Sequence, residues 1–146
     1  MTALTEATAL TEPTSPVLAA TLRHVSAGHH ALADALEEII EVIDEAQSGD
    51  LSPCAVALTR VIRSYIEDHL PVEARLLGDL LGPTHPAYHH LEDRRQQIWW
   101  QVQYLLKMVG EGDPRVDPVV LHRQSRKVKG MITGCASLWR DAGYRV

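Results

Sequence analysis

Apolar positions recur along this chain in steps of four and three, not two. Between 16 and 47 the seam runs Leu18, Leu22, Val25, His29, Leu32, Leu36, Ile39 and Ile43. That spacing keeps one side of an α-helix turned towards a core. A second seam, Leu58, Ile62, Tyr65, His69, Val72, Leu76 and Leu80, predicts a helix over 53–81. Leu91, Ile98, Val102, Leu105 and Val109 predict a third over 86–110. Leu121, Ser125, Val128, Ile132, Cys135 and Trp139 predict a fourth over 114–142. No stretch keeps the alternation of a strand for long.

The punctuation agrees with these limits. Ser15-Pro16, Ser52-Pro53 and Asp113-Pro114 or Asp117-Pro118 put a capping side chain ahead of a proline, a good helix start. Gly49, Gly82, Gly110 and Gly143 stand where helices should stop. Short connections make successive helices antiparallel. The expected fold is therefore all-α, an antiparallel up-down-up-down four-helix bundle over 15–146. Leu22, Leu36, Ile62, Leu76, Ile98, Leu105, Val128 and Ile132 should lie in its core. Pro71 removes a backbone donor inside the second helix and predicts a kink there. Residues 1–14, with TALTE written twice, carry no such seam and are expected to form a disordered tail.

Charge and composition narrow the function. A net charge of −5 argues against general nucleic-acid binding, which needs a basic footprint. The run Arg123, Arg126, Lys127 and Lys129 reads as a solvated helix face. No apolar run is long enough to cross a bilayer, and the start lacks a signal-peptide pattern, so a cytoplasmic, membrane-free protein is expected. Cys54 and Cys135 fit none of the paired metal spacings and read as reduced thiols.

The histidines change the picture more. Seven of the eight lie between His24 and His90. His24 and His30 flank the first seam and should be exposed. His29 and His69 instead occupy seam positions where an aliphatic side chain is expected. Glu73 follows His69 by four residues, on the same helix face, so the two can share one ion. Imidazole with carboxylate suits Fe, Mn, Zn or Ni. A buried carboxylate is costly without a cation, and a metal removes that cost.

His29 with Leu32 and Leu36, His69-x-x-x-Glu73 with Leu76 and Leu77, and the histidine cluster opening the third helix together resemble the hemerythrin-like (HHE cation-binding) family. The resemblance runs from residue 17 onward. It implies a four-helix bundle with a non-haem di-iron centre, and departures from the family's pattern on the fourth helix open a single or partly filled iron site instead. It also implies a small oxidant as partner, O2 or peroxide or NO. The family's histidine pair, four residues apart, is matched by His85 and His89. The helix periodicity points Tyr88 inward with His85 and Glu92 at the edge, and ungapped counting from Glu73 lands on Tyr88 and Glu92, so the ligand from the third helix stays open among His85, Tyr88, His89, His90 and Glu92. On the fourth helix the family's histidine falls on His122, but no Asp or Glu follows before Asp141. The alternative is a metal-free helical interaction or regulatory module whose histidines are relics.

Overall fold

The computed structural model describes residue 13 and residues 15–45, 51–110 and 117–146. Among these residues the chain is all helical, with no strand. The first rod is α1 (Pro16–Glu45). The second consists of α2 (Ser52–Ser64), a π-helical turn (Tyr65–His69) and α3 (Leu70–Leu80). The third is α4 (Tyr88–Gly110) and the fourth α5 (Pro118–Asp141). The tail expected over 1–14 and a helix start at Pro114 fall, apart from Pro13, outside the described residues.

The helix ends follow the sequence punctuation at four places. The Ser15 hydroxyl accepts a hydrogen bond from the Leu18 amide, and the Asp117 carboxylate accepts from the Val119 amide at 2.9 Å with Pro118 next in line. Gly82 (φ 76°) closes the second rod, its amide donating to the Leu77 carbonyl. Gly143 (φ 101°) closes α5 and lets the Tyr144 amide reach back to the Trp139 carbonyl. Both glycines take the left-handed conformation that other residues resist. Ser52 departs from expectation, since α2 begins at Ser52 and Leu51 takes the capping position.

α1 packs against the second rod and α5, and α4 against α2 and α5, so the four rods close a ring around one core. All eight expected core residues are buried. Each contributes about 1.5–3 kcal/mol relative to an exposed side chain. No described helix is long and apolar enough to cross a membrane.

The second rod departs from a plain α-helix where Pro71 predicts trouble. A proline ring crowds the carbonyl four residues back and supplies no amide. The chain widens just before it, and the Leu70 amide donates to the Tyr65 carbonyl five residues earlier. This π turn turns the inner face of all that follows. The expected seam through Val72 is replaced by one through Leu70, Glu73, Leu76 and Leu77, with Val72 only half-buried. Glu73 therefore points squarely inward.

Candidate functional site

Polar groups from three rods meet in the core around one oxygen, Glu73 Oε2. α1 brings His29, whose Nε2 lies 3.0 Å away. The π turn brings His69, with Nε2 at 3.6 Å. α5 brings the Trp139 indole N–H, which donates at 3.2 Å, and Cys135 Sγ at 3.9 Å. His29, His69 and Glu73 are 1–3% exposed, and Cys135 and Trp139 are fully buried. The His29 and His69 rings sit 4.6 Å apart, and Tyr65 stacks on His69 at 4.2 Å.

Backbone shape makes the convergence possible. A Cβ added at Gly28 would stand 2.0 Å from His69 Nδ1, so the imidazole occupies space that any other residue would fill. Glycine here serves close approach of two rods, not a special dihedral. On the far side, Tyr144 meets Trp139 edge-on at 6.3 Å and helps fix the indole.

Burial makes this cluster electrostatically demanding. It opposes ionisation of Glu73, but hydrogen bonds and charge from His29 and His69 outweigh it and hold the carboxyl well below its ordinary range. Burial also lowers His69, against the pull of Glu73, and His29 adds to the lowering. Desolvation, then the Glu73 charge, pushes the Tyr65 hydroxyl and the Cys135 thiol up. An ionised carboxylate at this depth is costly unless donors or a cation match it.

The residues present fit a metal. An ion with bonds of about 2.0–2.3 Å holds neighbouring donors roughly 3–4 Å apart, the range of the contacts to Oε2. With both Nε2 atoms facing Glu73 Oε2, the Nδ1 atoms of His29 and His69, Glu73 Oε1 and the Tyr65 hydroxyl are still buried without a hydrogen-bond partner. Buried polar atoms are seldom left so. A cleft of about 350 Å³ between α1 and the second rod reaches this level, lined by Ala27, Gly28, Ala31 and Ser64, with Tyr65 and His69 among its walls. His24, Arg60 and Asp68 also line it.

The other expected ligands are placed elsewhere. His122 hydrogen-bonds Asp44 at 2.8 Å and ties α5 to α1, because its position is one residue round from the Leu121 seam. His85 belongs to the turn before α4, where its Nδ1 accepts from the Ala87 amide. His89 and His90 are exposed, and His89 meets Tyr88 edge-on. Glu92 is held by Arg95 at 2.6 Å and by Gln96. α4 starts two residues later than expected, at Tyr88, and turns Leu91 into the core, as its seam predicts. Cys135, Trp139 and Tyr65 were legible as seam positions, but only as core. Their polar atoms at seam spacing were the available signal.

Comparisons with protein-family models, curated proteins and solved structures found no match to this chain.

Proposed function

We propose that this chain is a non-haem iron protein of hemerythrin-like type, an antiparallel up-down-up-down bundle whose His29, His69 and Glu73 hold the metal. Its partner is a small oxidant: O2, peroxide or NO. The observation that carries this reading is the meeting of two imidazoles and a carboxylate at 3.0 and 3.6 Å in the core, with both Nδ1 atoms and one carboxylate oxygen left unpartnered. Aliphatic side chains at these seam positions would avoid a desolvation cost of several kcal/mol per charge, so retaining them suits a function.

Iron bound there would exchange single electrons with the oxidant. The chain's own groups do the rest. Glu73 supplies negative charge, and the Trp139 N–H holds its Oε2 in place. Aliphatic neighbours such as Leu32, Leu36, Leu76 and Leu77 keep bulk water out. The cleft beside Gly28 suits entry of a diatomic or peroxide-sized molecule. Free thiols at Cys54 and Cys135 favour a reducing, cytoplasmic setting.

One observation favours the alternative, a metal-free helical interaction module. Trp139 and Cys135 already donate to Glu73, so a single proton on His29 would balance the cluster. Anaerobic loading with ferrous iron separates the two. The iron's optical and EPR spectra should change on adding NO, O2 or peroxide to the wild-type chain and not to His69→Ala. Failure to take up iron, or iron indifferent to all three, overturns the proposal.

A further inference from the structure

What α5 brings to Glu73 in place of a carboxylate is a sulfur. Cys135 Sγ lies 3.9 Å from Glu73 Oε2, and the donor atoms of His29, Glu73 and Cys135 all stand within 4.8 Å of one another. All three residues are buried. A second observation points to a ligand at the same place: His29 Nδ1 and Glu73 Oε1 are buried with no hydrogen-bond partner.

We propose that Cys135 is a thiolate ligand and that the centre holds one divalent metal ion, bound by His29, Glu73 and Cys135 with His69 beside them. This rests on the reading that the cluster binds metal, and it fixes the nuclearity and donor set that reading leaves open. Charge supports it. One carboxylate and one thiolate neutralise one divalent ion, and a neutral centre suits a core where uncompensated charge is costly. Among the described residues, the group of His, Cys, Asp or Glu side chains close enough to share an ion holds one carboxylate, Glu73, and Glu92 is engaged by Arg95.

The chemistry of binding balances simply. The Cys135 S–H bond breaks as the sulfur–metal bond forms, the proton leaves to solvent, and nothing is oxidised or reduced. One thiolate with imidazole and carboxylate suits Fe2+, Zn2+ or Co2+ better than a hard ion such as Mg2+. Four protein donors leave positions on a six-coordinate iron for a small molecule, so the inference is compatible with oxidant handling.

Cobalt titration of the full chain under anaerobic conditions tests this without reference to activity. A thiolate-to-cobalt charge-transfer band in the near ultraviolet should rise and saturate at about one Co2+ per chain, matching one divalent ion to the two negative ligands. Cys135→Ser and Cys135→Ala should both lose the band, and Cys54→Ser should keep it. Circular dichroism of each variant shows that it remains folded; two different replacements guard against one that fails to fold. Cobalt bound by the wild-type chain without the band, or a band that survives both Cys135 replacements, overturns the thiolate while leaving the His29–His69–Glu73 site standing. Saturation at two Co2+ per chain overturns the single-ion centre. Refusal of both cobalt and iron overturns the inference together with the metal reading beneath it.

Discussion

Two imidazole–carboxylate contacts in this protein have nearly the same length and opposite settings. His29 meets Glu73 at 3.0 Å with both side chains at most 3% exposed; His122 meets Asp44 at 2.8 Å with the acid 61% exposed. The surface pair exchanges one set of hydrogen bonds with water for another and is screened by salt. The buried cluster cannot. Its carboxylate must be matched inside the core, and the extra nitrogens of two imidazoles must find partners there. Residue type and distance alone therefore do not mark a site. The missing solvent does.

The largest test removes the acid from each contact. Glu73→Ala should destabilise the metal-free fold by about 3–5 kcal/mol, the cost of breaking a buried pair and leaving its partner unmatched. Asp44→Ala should cost about 1 kcal/mol or less, as an exposed pair does. Urea unfolding at neutral pH measures both, and equal losses would erase the distinction.

Next comes the close approach that builds the buried side. Gly28→Ala sets a methyl 2.0 Å from His69 Nδ1, so the ring or the rod must move. Overpacking of this kind costs about 1–3 kcal/mol. Imidazole NMR shifts should move for His69 and stay unchanged for His122. An unshifted His69 would show that the two rods are not held so tightly.

Acid should act on the buried contact with a definite sign. Glu73 in the folded chain holds its proton less readily than an ordinary carboxyl, and His69 less readily than an ordinary imidazole. In both cases the unfolded chain takes up protons first as pH falls, so stability falls too. The His69 part is lost below about pH 6.5 and the Glu73 part below about pH 4.3, the ordinary values of the two groups. Chelator-stripped protein should show a urea midpoint that declines from pH 7 towards pH 4 through His69 and falls further below about pH 4.3 through Glu73, a further fall that Glu73→Gln should lack. The same profile below about pH 4.3 in both proteins would contradict the assignment of charge to Glu73.

The smallest effect belongs to the surface pair. His122→Ala should change stability by about 1 kcal/mol at most, less so in high salt. A larger loss would mean that the α1–α5 contact at Asp44 carries more of the bundle than its exposure suggests.

Much of this was legible in the order of residues. Seam spacing marked four helices and all eight chosen core positions, because burial repeats every turn and sequence carries that period directly. It also picked out His29 and His69 as odd residues on an apolar face, and Glu73 one turn on. What periodicity cannot carry is a change of phase. Around the π turn before Pro71 the inner face takes in Leu70 and Leu77 beside Glu73 and Leu76, and Val72, counted on the seam, is only half-buried. The same limit hid the fourth-helix contribution. Cys135 and Trp139 sat on the seam as plain core, and only the position of Glu73 gives their S–H and N–H an acceptor. His85, His89 and His122 were chosen by spacing in a resemblance, and the late start of α4 and the off-seam position of His122 place them on other partners.

The central claim is that His29, His69 and Glu73 hold a metal ion that the surface pair does not. Elemental analysis of full-length protein purified without an affinity tag tests it most directly, run on the wild-type chain, Glu73→Gln and His122→Ala side by side. The account predicts iron in the wild type and in His122→Ala at the same level, and its loss in Glu73→Gln. Metal-free wild-type protein, or iron that disappears with His122 and persists without Glu73, would contradict it.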